Sequence, residues 1–266
     1  MRLLMCPPDL FDVTYEINAW MKIAQKPSLD NARAQWNALR NLLADQIGAD
    51  VSLVTPQAGW PDLVFTANAG IARGNVFVPS RFRFAERQGV VPYFVNWFRT
   101  QGFDIVPLPD DVAGAFEGEG DALFYGDVLL AGHRQRSDES VYSALGDILA
   151  CRVVPLALTD TRWYHLDTCL IPVRDDLLAY YPPAFDRAAN DALEALPGDK
   201  IIITEPDALR FGGNAVVVGN SIVMNAGCDA LAGDLQARGC IVYATDLSEF
   251  LKSGGSAKCL TLVIDH

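Results

Sequence analysis

The sequence predicts an α/β fold in which a unit of about fifty residues recurs five times and closes into a ring. Three observations predict it. Short Gly, Asn or Asp pairs separate β-forming runs at four places, as tight hairpins require. A stretch of helical character follows each hairpin, and a further apolar strand follows each helix. The two ends of the chain supply the parts of a fifth, split unit.

The elements follow in chain order. A helix is expected over 29–47, where Trp36, Leu39, Leu43 and Ile47 recur at helical spacing, and a strand over 51–54. Gly74-Asn75 turns a hairpin between 70–72 and 76–78; a helix over 85–101 and a strand over 103–106 follow. Gly126-Asp127 turns the next, with a helix over 139–149 and a strand over 153–156. Asp175-Asp176 separates 169–171 from 177–179, ahead of a helix over 186–196 and a strand over 200–203. Gly219-Asn220 separates 216–218 from 222–224, ahead of a helix over 229–238 and a strand over 241–243. Strands in 259–264 then complete the first unit. Gly48, Gly102, Gly198 and Gly239 close four of the helices, whereas the helix over 139–149 lacks such a residue. Pairing the chain ends removes two exposed strand edges, which favours a ring; an open α/β sheet with evenly spaced helices is the alternative.

Composition narrows the function. The 266 residues carry 33 acids against 21 Lys and Arg, a net charge of −12. Nucleic-acid backbones are bound by clustered cations, so no nucleic-acid partner is expected. The balance suits a neutral or cationic small ligand. Half of the residues are hydrophobic, which excludes a disordered chain. No run of about 20 apolar residues occurs, so no membrane partner is expected. Residues 1–9 hold a short apolar run broken by Pro7-Pro8 and do not read as a signal peptide. Six scattered cysteines without CxxC spacing point to reduced thiols in a cytoplasmic protein.

The polar residues near the start of each unit keep step with the repeat. Asn68, Glu117, His165, Asn214 and Cys259 are separated by 49, 48, 49 and 45 residues. Equivalent points of ring-related units face one axis, so a nucleophile, a base, a carboxylate and an amide are expected to converge there. Each has a plainer reading. Cys259 in an apolar strand is ordinarily a small core residue, as are Cys6, Cys151, Cys169, Cys228 and Cys240. The Gly254-Gly255-Ser256 lead-in and the repeat phase set Cys259 apart. His165 and Asp167 are placed by their spacing on one face of a strand. His133 and His266 have no motif context, so a third metal ligand is lacking and no metal is expected. Glu117, Glu119 and Asp121 alternate among Phe116, Gly118, Gly120, Ala122 and Leu123, unlike a solvated edge; Glu117 is in phase and Glu119 is not. Gly118-Glu119-Gly120 carries no basic residue and is no phosphate loop.

Four motifs together resemble the guanidine-modifying, or pentein, superfamily: Asp62-Leu63-Val64-Phe65-Thr66-Ala67-Asn68-Ala69-Gly70, Phe116-Glu117-Gly118-Glu119-Gly120-Asp121, His165-Leu166-Asp167-Thr168 and 254–261 around Cys259. The resemblance spans nearly the whole chain. It implies one domain over 1–266, a five-bladed pseudo-symmetric α/β propeller of ββαβ units. Residues 5–9, 15–21 and 66–70 are most similar to the arginine dihydrolase branch, which yields ornithine, ammonia and carbon dioxide. Arginine deiminases and dimethylarginine dimethylaminohydrolases, which give citrulline, commonly carry Asp in place of Asn68. Amidinotransferases and a non-catalytic, translation-factor-like relative share the fold.

The resemblance also implies roles. Cys259 is the nucleophile, His165 the general acid and then base, and Glu117 with Asp167 holds the guanidinium. Arg87 and Arg136 match positions that bind the substrate carboxylate, although without the resemblance they read as surface charge. Asp62 matches an acid near the substrate amino group. Asn68, with Asn18 as a second amide, suits a neutral ureido group. Phe65 is placed among the substrate-binding residues. No cofactor is implied, the expected partner is a small guanidine such as arginine, and self-association stays open.

Overall fold

The structure, a computed structural model, describes residues 1–266. It contains fifteen strands in chain order. These are β1 (Arg2–Met5), β2 (Asp50–Leu53), β3 (Gly70–Arg73), β4 (Val76–Pro79) and β5 (Asp104–Ile105). They continue as β6 (Ala122–Tyr125), β7 (Val128–His133), β8 (Arg152–Ala157), β9 (Leu170–Arg174) and β10 (Leu177–Tyr180). The last five are β11 (Asp199–Ile202), β12 (Val216–Val218), β13 (Ser221–Asn225), β14 (Ile241–Thr245) and β15 (Leu262–Val263).

The strands form five three-stranded sheets of one pattern. The central strand runs antiparallel to the first and parallel to the third in every sheet. A tight turn suffices for the antiparallel pair, whereas the parallel pair needs a crossover, and the helix supplies it. The split unit obeys the same rule. β15 pairs β1 through Leu3–Val263 and Leu4–Leu262, and β1 pairs β2 in parallel. First strands of different sheets lie side by side: β15 by β3, β6 by β9 and β9 by β12.

The crossover helices sit where the periodicity places them. Ser28 caps Leu29–Asn41, which runs on as a π-helical turn, Leu42–Gln46; Trp36, Leu39 and Leu43 are buried. Asp186 caps Arg187–Glu194 through Ala189 N at 2.9 Å. The helix expected over 85–101 is interrupted at Gly89-Val90, giving Ala85–Gln88 and Val91–Thr100, the latter opened by Pro92. Gly89 fits there because a Cβ would lie 2.0 Å from the Trp60 ring. No helix is long and apolar enough to cross a membrane.

The helix lacking a terminal glycine, Tyr142–Leu149, ends on Ala150 in the left-handed region at φ 48°. A left-handed L-residue costs about 1–2 kcal/mol. Ala150→Gly is therefore expected to stabilise the protein by about 1 kcal/mol, raising Tm by about 2–4 °C. A thermal melt checks this; an unchanged or lower Tm contradicts it.

One expectation needs correction. The first strands begin later than the motifs suggest, because short 3₁₀ turns intervene: Thr66–Ala69, Gly118–Gly120 and Leu166–Thr168. His165 is extended but Asp167 lies in the turn after it, so the two do not share a strand face. Cys259 likewise precedes β15 and is not in a strand. The turns carry polar side chains off the sheets, leaving the strands to the apolar core.

Candidate active site

The five residues in phase with the repeat meet inside the molecule, none more than 2% exposed. Asn68 Nδ2 donates to the Glu117 carbonyl at 3.0 Å, and Glu117 Oε2 lies 2.9 Å from His165 Nε2. Asn214 Nδ2 donates to Cys259 Sγ at 3.1 Å and to the Asp167 carbonyl at 2.9 Å, and Ala67 N, beside Asn68, donates to the Cys259 carbonyl at 3.2 Å. Cys259 Sγ lies 3.3 Å from Asp167 Oδ2.

Turn packing makes this possible. Gly118 has φ 64°, and a Cβ there would stand 2.7 Å from the carbonyls of Ala67 and Gly70. Only glycine lets the Glu117 turn approach the Asn68 turn so closely. Gly120 leaves room for Asn68 Nδ2, which a Cβ would meet at 2.2 Å, and for the His165 ring.

The Glu117 carboxylate is fully enclosed. Oε2 accepts from Arg136 Nη1 at 3.0 Å as well as facing His165, and Oε1 accepts from Arg83 N at 3.2 Å. Burial alone would raise its pKa, but Arg136 and His165 outweigh burial and hold it well below the usual carboxylate range. Burial also lowers His165, to about 4, against the pull of Glu117. Its imidazole is thus neutral near pH 7. With Nε2–H assigned to Glu117, the buried and unpartnered Nδ1 is a free base.

Asp167 behaves in the opposite way. Burial pushes it up to about 7, although Lys258, Cys259 and Asn214 pull it down. Burial and then Asp167 raise the Cys259 thiol well above its usual value. Without a cation between them, this thiol and carboxylate hold their proton together. Asp167 Oδ1 is buried and unpartnered, so it is free to meet a cationic donor.

Arg87 and Arg136 are buried, 4% and 2% exposed, which overturns their reading as surface charge. Arg87 Nη1 donates to Asn68 Oδ1 at 2.9 Å, and its Nε lies 3.6 Å from Asp62 Oδ2. Asp62 Oδ1 has no partner. Arg136 is committed to Glu117 and to the Ile17 carbonyl at 2.9 Å, between the rings of Phe84 and Tyr164. Asn18 is also committed: Nδ2 donates to the Ser253 carbonyl, and Oδ1 accepts from Trp20 N and Met21 N. It ties residues 18–21 to the glycine lead-in of Cys259. Phe65 is 5% exposed, edge-on to Phe11, and packs where a Cβ on Gly255 would lie 2.4 Å away. It shapes the cysteine loop.

The motif reading assigned no role to a second buried cluster. Glu119 Oε2 accepts from Lys258 Nζ at 2.6 Å and Val263 N at 3.1 Å, while Oε1 lies 2.7 Å from His266 Nε2. Asp121 accepts from Ser137 Oγ at 2.6 Å and Leu166 N at 3.2 Å. The unusual apolar setting of these acids was the available signal. Lys258 and His266 also border a cavity of about 240 Å³, lined by Leu123, Leu170, Val216 and Val263; Cys259 is not among its walls. No cluster of His, Cys, Asp and Glu with metal-holding geometry occurs.

A buried cysteine held beside a carboxylate, with a neutral His–Glu pair, suits covalent chemistry on an amidine-type carbon. Comparison with known proteins decides the family. The family model described as N,N dimethylarginine dimethylhydrolase, eukaryotic, matches residues 11–265. The chain belongs to that family. Within the dimethylarginine dimethylhydrolase family it is similar to the bifunctional arginine dihydrolase/ornithine cyclodeaminase AgrE of Nostoc sp.. The two are 48% identical over 98% of this chain and 37% of AgrE, so this chain spans little more than a third of that relative. It is 40% identical to the N(G),N(G)-dimethylarginine dimethylaminohydrolase of Mycobacterium tuberculosis, over 99% of this chain and 85% of that protein. It also matches the crystal structure of the N-terminal domain of ArgZ, a cyanobacterial arginine dihydrolase, bound to product. That match has a TM-score of 0.93 and 45% identity, covering 99% of this chain and 98% of the other.

Proposed function

We propose that this protein hydrolyses the guanidinium group of arginine through a covalent Cys259 adduct, as an arginine dihydrolase. We also read residues 1–266 as one domain whose five sheets are the blades of a closed α/β propeller, working in the cytoplasm without a cofactor. The observation that carries the activity is the convergence of Cys259, the neutral His165–Glu117 pair and the unpartnered Asp167 Oδ1 in one buried cluster.

In this reading the guanidinium enters beside Asp167, and its charge favours the thiolate. His165 Nδ1 takes the thiol proton as Sγ attacks the guanidinium carbon. The same proton passes to the terminal nitrogen, the C–N bond breaks and ammonia leaves. His165 then takes a proton from water, oxygen adds to the adduct carbon, and the C–S bond breaks to return the thiolate; the hydroxyl proton leaves to the released ammonia and the imidazolium reprotonates the sulfur. Glu117 steadies the imidazole, and Asp62 with Arg87 meets the amino-acid end of the substrate.

A repeat of this cycle on citrulline distinguishes a dihydrolase. The second cycle leaves a carbamate on the ornithine nitrogen, whose N–C bond breaks to release carbon dioxide, so arginine and two waters give ornithine, two ammonia and carbon dioxide. Asn68 supports this second cycle. Its amide accepts from Arg87 and donates to Glu117, which leaves an N–H and a lone pair for a neutral ureido group. Incubation with arginine is expected to release two ammonia per arginine, with ornithine as product. Accumulating citrulline would place the protein among the single-step hydrolases. Asn68→Asp is expected to keep part of the first step and lose the second; faster ornithine release by that variant would contradict the amide argument.

The pH dependence follows from Asp167. Its pKa of about 7 means that the carboxylate needed for a cation is lost as pH falls through neutrality. KM for arginine is expected to rise roughly tenfold for each unit below about pH 7. A KM unchanged between about pH 5.5 and 8 would remove Asp167 from guanidinium binding.

A further inference from the structure

We propose that Asn214 is a catalytic residue: its carboxamide is the hydrogen-bond donor that holds Cys259 Sγ for attack and receives it again as the departing thiolate. This deepens the reading of Cys259 as nucleophile and rests on it.

The carboxamide is fully buried, and all four of its hydrogen-bonding positions are occupied. Oδ1 accepts from Ser256 N at 3.0 Å and from Cys259 N at 3.1 Å. Nδ2 donates to the Asp167 carbonyl at 2.9 Å and to Cys259 Sγ at 3.1 Å. These partners fix the orientation of the amide. Turned over, it would set its NH₂ against two backbone N–H groups and its oxygen against a carbonyl. One side chain thus grips the nucleophile by both its backbone and its sulfur.

The surroundings make this donor distinctive. Asp167 Oδ2, 3.3 Å from Sγ, is an acceptor and disfavours a thiolate. The Tyr164 hydroxyl donates to the Gly254 carbonyl at 2.6 Å. The Lys258 ammonium is committed to Glu119, and His165 Nε2 faces Glu117. Asn214 is the side chain that donates to the sulfur. When the C–S bond of the adduct breaks, the electron pair returns to Sγ, and the Asn214 N–H is already directed at it. A donor aimed in advance at developing charge is worth about 10²–10³ in rate when it serves an oxyanion, and sulfur is a weaker acceptor than oxygen.

Alkylation of Cys259 by iodoacetamide, followed by mass spectrometry of its peptide across a pH series, reads the thiolate without any substrate. Asn214→Asp keeps the shape and the acceptors but loses the donor; Asn214→Leu loses the donor without adding charge. Both are expected to raise the alkylation midpoint by about one pH unit, tenfold less thiolate at a given pH. They are expected to lower kcat by about 10–100-fold while KM for arginine changes less than about threefold. In the unsubstituted protein, the ¹⁵N-labelled carboxamide resonance of Asn214 is expected to shift with the same midpoint as alkylation. Folded variants with an unchanged midpoint would show that Asn214 only supports the loop. A carboxamide resonance that stays still through the thiol titration overturns the proposal even if neither variant folds. Failure of the nucleophile reading looks different: the alkylation shift would persist while Cys259→Ser stayed active.

Discussion

Cys259→Ser is expected to lower ammonia release from arginine by at least about 10⁴-fold, with a Tm within a few degrees of the unsubstituted protein. The reasoning is chemical. A serine hydroxyl keeps the Asn214 contact and the approximate shape, but it is a far weaker nucleophile than a thiolate. The neighbouring Asp167 carboxylate makes an alkoxide still less accessible. Removing the nucleophile of a concerted group costs nearly the whole chemical rate, leaving what binding and electrostatics supply. Arginine is expected to bind the variant at close to the original KM, because Asp167, Asp62 and Arg87 remain. Ammonia counting and calorimetric titration with arginine measure the two effects separately. Turnover within tenfold of the unsubstituted protein would dismiss Cys259 as nucleophile.

Arg136→Met is expected to give the largest loss of stability, about 3–5 kcal/mol. Arg136 is 2% exposed and faces a carboxylate that is fully buried. Methionine fills much of the space between Phe84 and Tyr164, so the loss comes from stranding the Glu117 charge. The remaining side-chain partner, His165, has a pKa of about 4 and is neutral at pH 7, and the other contact, Arg83 N, is an uncharged backbone N–H. Arg136 is one of the groups that hold it down, so His165 is expected to titrate at higher pH in the variant. The sign of the stability change follows. Protonated His165 restores the missing positive charge, so the deficit shrinks as pH falls and is largest above the new pKa. Denaturant unfolding between about pH 5 and 8, with imidazole NMR titration, tests both parts. Adding Glu117→Gln should recover much of the loss, since it removes the stranded charge. A single-variant loss below about 1 kcal/mol, or a His165 titration that moves down, would contradict the argument.

Much of the architecture was legible because hairpins and helices write short-range patterns. Gly74-Asn75, Gly126-Asp127 and Gly219-Asn220 each turn a hairpin where expected. The spacing of Asn68, Glu117, His165, Asn214 and Cys259 anticipated a cluster that only tertiary structure assembles. What was not legible depends on long-range packing. The 3₁₀ turn that holds Asp167 and the plain turn that holds Cys259 ahead of β15 lie among turns packed against one another over long range, as Gly118 is against Ala67 and Gly70. The commitments of Arg136 to Glu117 and of Lys258 to Glu119 join residues 19 and 139 positions apart, and no local spacing announces them. Burial of Arg87 is likewise set by Asp62 and Asn68, which lie on turns of their own.

The sheet shared by β1, β2 and β15 has a consequence for synthesis. The ribosome delivers Arg2–Met5 about 260 residues before its antiparallel partner Leu262–Val263. At about 5–20 residues per second, β1 waits roughly ten to fifty seconds for that partner. Cys259 is held by Asn214 and lies directly before β15, so the proposed nucleophile takes its place in the same late step. A nascent chain stopped before residue 259 has four sheets within reach and no reactive centre. Until residue 259 has been made the chain therefore lacks the proposed nucleophile, and its proposed catalytic competence arrives together with completion of that sheet.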